Sequence, residues 1–455
     1  MEQDLTTGSV FKRIVYFSLP YLLSYFLQTL YGMAGLFITG QFYGVDTITA
    51  VSNGSQIMHM MTVIIVGLAM GTTVTIGHSV GAKCMEQAEK IIGNTITLFM
   101  GIAVAFTVIL VVLVKPIVVL IATPQEAVAG TSIYLLICFI GIPFITAYNI
   151  ISSIFRGLGD SKSPMYFIGI ACVMNIALDY LFMGAFHMGA AGAALGTVCA
   201  QTFSVLVALW VIRRRKTGIS LKKSDFKIER AVIGQVLKIG IPVALQDGFI
   251  QVAFMIITVI ANSRGVSDAA AVGIVEKVIS ALFIVPSSML ATVSALSAQN
   301  FGAGKEKRAT DTLRYATVIT TIYGVIVAVL IQFIAENVVG IFTSDTTVVT
   351  MGSAYIRSYI WDCIFAGIHF SFSGYFAACG KSYIGFLHNI ISITFVRVPG
   401  SYLASKYFPD PLFLINEKNM QYTAKTTARK HLQTVQKCGI VSMLHFYTNI
   451  LDKGT

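Results

Sequence analysis

The sequence predicts an all-α polytopic membrane protein made of two pseudo-symmetric six-helix lobes, with about eleven transmembrane helices visible and the twelfth missing. Three observations carry that reading. Of 455 residues, 55% are hydrophobic and 12% charged, with a mean hydropathy of +0.77. A soluble domain averages about 25% charged residues. Apolar runs of roughly 20 residues, the length that crosses ~30 Å of hydrocarbon, recur along the chain. Short motifs also return at a constant offset of 221 residues. Transmembrane β-strands would be shorter and would alternate strictly in polarity.

In chain order the first-half spans are 14–40, 48–80, 91–114, 131–155, 164–186 and 190–212. The second-half spans are 233–262, 269–300, 312–335, 352–378 and 384–405. The apolar stretch after the polar "MEQDLTTGSVFKR" is too long for a signal h-region and shows no small-residue cleavage site. The first helix is therefore expected to stay. Pro20, Pro143, Pro164, Pro242, Pro286 and Pro399 lie in or beside spans, where each can kink a helix. The sixth span opens on "GAAGAALG" (189–196), a small-residue face suited to close packing. The basic "RRRKTGISLKKSDFKIER" (213–230) is the only long polar interruption before the tail. The expected organisation is an N-terminal lobe at 1–212, a cytoplasmic linker at 213–232, a second lobe at 233–405 and a polar tail at 406–455.

The net charge of +11 follows this topology. With the N-terminus inside, the inner segments hold 19 Lys and Arg; the outer ones hold Lys115 and Arg264, or three if Arg357 is counted. That is the positive-inside bias, and it accounts for the charge without nucleic acid. Anionic lipid headgroups are the natural contact. The seven Cys are scattered, without CxxC or paired spacing, and read as buried small hydrophobes. His59, His78, His187, His369 and His388 stand singly, so metal chemistry is not expected. No "GxxxxGK[ST]" occurs, which argues against an ATP-driven machine.

The repeat is in register at three places. "SVGAK" (79–83) matches "NFGAG" (300–304), and "FRGLGDSK" (155–162) matches "FAACGKSY" (376–383), both at 221. Gly81 thus pairs with Gly302, Phe155 with Phe376, Gly159 with Gly380 and Ser161 with Ser382. "SLP" (18–20) matches "GIP" (240–242) at 222. An offset that spans six helices leaves both halves in the same orientation, a parallel repeat. Repeats with a site near the midplane between them are a transporter architecture.

These motifs resemble the multidrug and toxic compound extrusion (MATE) transporters, closest to the DinF-like bacterial branch. The resemblance rests on "SLP", "GAK", "FRGLGDSK", "NIALD" and "GAAGAALGT" in the first half, and on "GIP", "QNFGAG" and "CGKS" in the second, over roughly residues 10–408. It implies twelve helices in two lobes. It also implies export of organic cations or amphipathic drugs in exchange for H⁺ or Na⁺, by rocking between inward- and outward-open states. Small-molecule substrates and membrane lipids are the expected partners. The coupling ion takes the place of any cofactor, and a monomer in the plasma (inner) membrane of a bacterium, N-terminus cytoplasmic, is expected.

The intramembrane charges select the candidate site. "ACVMNIALDYLFMGAF" (171–186) carries Asn175 and Asp179 four residues apart, on one helix face. A carboxylate at mid-bilayer costs roughly 2.5–3.5 kcal/mol on insertion scales. No Lys or Arg is read inside the first-half spans, so Asp179 either holds a proton or awaits a cation. The alternative is a protonated Asp hydrogen-bonded within the bundle. The family resemblance assigns this "NxxxD" to the cation-coupling network. In the second half the acids are Asp247, Glu276 and Asp362, with Lys277 and Arg397 as possible partners. Asp362 leans toward a structural pair with Arg397; Asp247 and Glu276 stand open between function and structure. Gln246 and Gln251, with Tyr31, Phe37, Tyr148 and Trp361, are candidates to line a cavity for an amphipathic cation, with ordinary packing as the alternative. Gly35 stands where many relatives place an Asp, which questions proton coupling through helix 1.

Two rivals frame this reading. A lipid-linked oligosaccharide flippase would need a strongly cationic cavity, whereas the mid-helix charges here are net acidic. A membrane-embedded enzyme would need a clustered acid or His/Asp pair, and the sequence shows none. Finally, the sixth span shifted by 221 falls on 411–433, "PLFLINEKNMQYTAKTTARKHLQ". With Glu417, Lys418, Lys425, Arg429, Lys430 and His431 it holds no apolar run, so a missing twelfth helix, a substituted C-terminus and impaired transport are expected.

Overall fold

The computed structural model describes residues 4–121, 123–214, 221–262 and 265–399, with Tyr402 and Lys406. The first half forms α1 (Val10–Phe42), α2 (Val45–Gly81), α3 (Met85–Leu120), α4 (Gln125–Ile140), α5 (Ile142–Gly157), α6 (Lys162–Asp179) and α7 (Gly189–Arg214). The second half forms α8 (Arg230–Asn262), α9 (Val266–Leu282), α10 (Ile284–Gly302), α11 (Glu306–Gly340), α12 (Thr346–Tyr359), α13 (Asp362–Ala378) and α14 (Tyr383–Ser392). No strand occurs among the described residues. Eight of these helical stretches are long and apolar enough to cross a membrane, and nine if the bent pair α4–α5 is one span.

The breaks have local causes. The pair α4–α5 bends by 51° at Gly141, and Pro143 stands in the first turn of α5, where its missing N–H costs no helical hydrogen bond. The eighth predicted span is α9 and α10, parted at Phe283 just before Pro286. The tenth predicted span, 352–378, is two helices, α12 and α13, separated at Ile360–Trp361. In α12, Arg357 donates to Glu336 (3.2 Å) and to the Gln332 carbonyl (3.2 Å). A hydropathy window averages across such a break and does not see it. The eleventh predicted span is α14 followed by a π-helical turn, Ile393–Arg397. The expected loss of a twelfth helix at 411–433, the tail from 407, and residues 215–220 of the linker lie outside the described residues.

The sequence repeat is repeated in the backbone. The turn after α5 closes by Gly159 N–H to Arg156 and Asp160 N–H to Phe155; the turn after α13 closes by Gly380 N–H to Ala377 and Lys381 N–H to Phe376. Gly159 and Gly380 both sit at positive φ, +92° and +70°, where glycine alone is unstrained. Even the side chains trade places. The His78 ring N–H donates to the Ala378 carbonyl (2.7 Å), and Gln299, 221 residues after His78, donates to the Gly157 carbonyl (3.0 Å), 221 before Ala378. The ends of α2 and α10 cross backbone to backbone: a Cβ on Gly81 would collide with the Gln299 carbonyl, and one on Gly302 with the His78 carbonyl.

Compact packing divides the chain differently from its repeat. One unit takes residues 1–248, 288–316 and 371–383; the other takes 249–287, 317–370 and the chain from 384. In the first, Ile38, Val51, Phe139, Ile142, Met183 and Ala194 build a core from α1, α2, α4, α5, α7 and the turn after α6. In the second, Val275, Ile279, Ile331 and Ile356 do the same for α9, α11 and α12. Val104, Val108 and Val112 on α3, and Ile322, Ile326 and Leu330 on α11, form exposed apolar stripes at helical spacing. Such surfaces fit lipid as solvent. The described part of the basic linker is seated on α3: Asn94 donates to the Asp225 carbonyl (3.1 Å) and accepts from the Glu229 N–H (2.7 Å), and Thr97 donates to the Phe226 carbonyl (2.9 Å).

Candidate functional site in the first half

Asp179 is the last residue of α6 and only 2% exposed. The next residues, Tyr180–Ala185, form a π-helical turn, a widened geometry that recurs at functional positions. Asn175, one turn earlier and also buried, donates to Asp179 Oδ1 at 3.5 Å, a long bond. Among the described residues Asp179 has no Lys or Arg partner.

Two glycines make room for that carboxylate. A Cβ on Gly35 of α1 would stand 3.3 Å from Asp179 Oδ2, and one on Gly196 of α7 would collide with Oδ1. The small-residue run of the sixth span therefore does more than let α7 approach α6; it opens the pocket of the acid. Thr39, one turn beyond Gly35, donates to the Gly35 carbonyl (2.7 Å) and contacts Met183 Sδ (3.5 Å). Tyr43 ties the π turn down by donating to the Met183 carbonyl (3.0 Å) and accepting from the Gly189 N–H (2.9 Å).

Position 35 thus faces the acid that the sequence singles out. Gly35→Asp brings a second carboxyl into contact with Asp179, and two acids so close titrate as a coupled pair. The expected result is an altered pH profile of transport, read in vesicles against the unchanged protein. Superimposable profiles would put position 35 away from the ion path.

Other predicted residues divide into groups. Tyr31 and Tyr148 come together, with Gln201 of α7 beside Tyr31. The Tyr148 hydroxyl is buried with only Ser152 within hydrogen-bonding reach, and Gln201 is buried beside the Tyr31 hydroxyl. In α8, Gln246 is 2% exposed with its amide nitrogen unbonded, while Asp247 and Gln251 are half-buried. In the second unit, Glu276 of α9 accepts from Thr258 (3.4 Å). Asp362 opens α13 and is exposed, as is Trp361; the Arg397 side chain lies outside the described residues.

Two features of the structure add to the sequence reading. His369 and His388, singletons in sequence, lie side by side with tilted rings whose centroids are 5.0 Å apart, because α13 and α14 bring distant residues together. Among the described residues no cluster of three His, Cys, Asp or Glu could hold a metal ion. Arg156, near the end of α5, turns its guanidinium back over the Tyr21 ring, 4.6 Å from the centroid. Sequence reasoning also missed Gly196, Gln201 and Tyr134, the last within electrostatic reach of Asp179. Only Gly196 left a signal, the glycine spacing of "GAAGAALG".

Comparison with known proteins adds a family. A family profile described as MatE matches this chain twice, over residues 20–181 and 242–403, the same two halves at an offset of 222. The chain is 30% identical over 405 residues to the probable multidrug resistance protein YpnP of Bacillus subtilis, covering 89% of this chain and 90% of that protein. It is 24% identical over 374 residues to the multidrug export protein MepA of Staphylococcus aureus, covering 82% of each. Among solved structures, a MOP-superfamily transporter from Pyrococcus furiosus superposes with a TM-score of 0.85 at 20% identity, covering 90% of this chain and 92% of that one. A MATE crystal structure in a straight conformation gives 0.84 at 20% identity, covering 93% and 99%. These structural likenesses show the fold.

Proposed function

The chain belongs to the MatE family of membrane transporters, whose members are not enzymes, and on that premise we propose that it exports cationic and amphipathic drugs in exchange for H⁺ or Na⁺. The observation that carries this is Asp179: a buried carboxylate without a basic partner, cradled by Gly35 and Gly196 and touched by Asn175. Such a group has two ways to relieve its cost in a membrane, a proton or metal cation on one hand and an organic cation on the other. If both compete for it, downhill entry of one drives release of the other. Alternating access then needs only that the pocket open to one side at a time, with each cation shifting the balance by its differential affinity. The plasma membrane, with the N-terminus cytoplasmic as the basic inner segments favour, is the proposed setting.

The test is flux in purified proteoliposomes loaded with ethidium. An imposed H⁺ gradient and an imposed Na⁺ gradient are applied separately, at matched membrane potential. One gradient is expected to accelerate efflux at least about tenfold over the leak, equivalent to about 1.4 kcal/mol in the barrier. Efflux at the leak rate under both gradients would overturn the exchange mechanism.

A further inference from the structure

A second charged group of the first half lies near the end of α5. Tyr148, Ser152 and Arg156 are spaced four apart on α5 and so share one face; Tyr21 and Tyr25 do the same on α1. The Arg156 guanidinium stacks on Tyr21 at 4.6 Å and lies within electrostatic reach of Tyr25 and Tyr148. Stacking on a ring face satisfies the flat side of a guanidinium and leaves its in-plane N–H fork free. That fork forms no hydrogen bond or ion pair among the described residues. Tyr148 is 3% exposed and Ser152 fully buried; their hydroxyls lie within hydrogen-bonding reach of each other and have no other partner among the described residues.

An arginine that served only to finish a helix would bond the carbonyls of the turn after it. Arg156 instead leaves the 157–160 turn to close by its own backbone and points away. A half-buried cation with no ion-pair partner among the described residues, beside two buried hydroxyls that can both donate, can present several donors to one acceptor. Asp247 lies within electrostatic reach of Tyr25, yet forms no ion pair with Arg156 among the described residues.

We propose that Arg156, Tyr148 and Ser152, walled by Tyr21 and Tyr25, form a binding site for the oxyanion, carboxylate or phosphate, of an amphiphile. The tyrosine faces suit an aromatic or alkyl body, and the fork takes two oxygens in one plane. The proposal widens the substrate class from cations to zwitterions, and in that respect it rests on the transport reading; its primary test is a binding measurement that does not.

The test uses a matched dye pair: rhodamine B, a cation with a free carboxylate, and its ethyl ester, the same cation with the carboxylate masked. Binding is read by fluorescence polarisation to the full chain in phosphatidylcholine nanodiscs. For Arg156→Gln the expected result is about tenfold or greater loss of affinity for rhodamine B, the size of a charge-assisted hydrogen bond, with the ester changed less than about twofold. Tyr148→Phe, which keeps the ring and only removes the hydroxyl, is expected to weaken rhodamine B alone by about threefold, and carries the test by itself if Arg156→Gln does not fold. Repeating the titration with 30% phosphatidylglycerol, about a physiological anionic fraction, separates the two sources of oxyanion. Competition with rhodamine B that Arg156→Gln abolishes assigns the site to a lipid phosphate; no competition assigns it to the solute's carboxylate. Equal effects of the substitutions on dye and ester, or none on either, would overturn the site. Failure of ethidium efflux with the dye discrimination intact would instead count against the exporter alone.

Discussion

The expected result for Asp179→Asn is loss of gradient-driven export with the protein still folded. The amide is nearly isosteric with the carboxyl, so the pocket between Gly35 and Gly196 keeps its shape and Asn175 keeps a partner. What is lost is the charge that either cation must neutralise. Removing a buried charge that has no basic partner relieves desolvation rather than adding to it, so the midpoint of thermal unfolding should hold or rise by a few degrees. On this reading transport depends on the charge in both half-cycles, so efflux should fall to the leak, a loss of at least about tenfold, or about 1.4 kcal/mol in the barrier. The check is ethidium efflux beside a melting curve on the same preparation. Undiminished efflux would reduce Asp179 to packing.

The second large effect concerns stability. Gly302→Val and Gly81→Val should each prevent accumulation of folded protein or destabilise it by about 3 kcal/mol or more. The added Cβ meets a backbone carbonyl, His78 for Gly302 and Gln299 for Gly81, where no side chain can rotate away. Overpacking ordinarily costs about 1–3 kcal/mol, and a backbone obstacle puts these sites at or beyond the top of that range. Two hydrogen bonds that leave this crossing, His78 to the Ala378 carbonyl of α13 and Gln299 to the Gly157 carbonyl of α5, would be disturbed with it. Gly273→Val is the control, since a Cβ there meets nothing within 4 Å. The yield of monodisperse detergent-solubilised protein on gel filtration, with a melting curve, reads all three. Normal yield and melting of Gly302→Val would contradict the crossing.

Much of the repeat was legible because it is imposed by backbone geometry. Gly159 and Gly380 hold a left-handed turn that few residues tolerate, and Gly81 and Gly302 hold a contact that excludes a side chain, so both pairs stay visible in sequence. Asp179 was legible by contrast, a charge in an apolar run. Arg156 was not, because its position alone says loop, and only the rotamer that lays it over Tyr21 brings it inside. The role of Gly196 was hidden for a related reason: a small residue reads as packing whether it faces a helix or a carboxylate. The break in 352–378 escaped because hydropathy sums composition and has no term for Ile360–Trp361 leaving the helical path.

The claim at the centre of this account is that a driving cation and an organic cation compete for Asp179. Equilibrium binding of ethidium to the purified protein, titrated against pH at zero Na⁺ and against Na⁺ at fixed high pH, measures it directly. Single-site competition predicts that, once the competing cation saturates, each tenfold rise in H⁺ or in Na⁺ weakens ethidium binding by about tenfold, with the dependence gone in Asp179→Asn. Ethidium affinity that ignores both cations, or a dependence that survives Asp179→Asn unchanged, would contradict it.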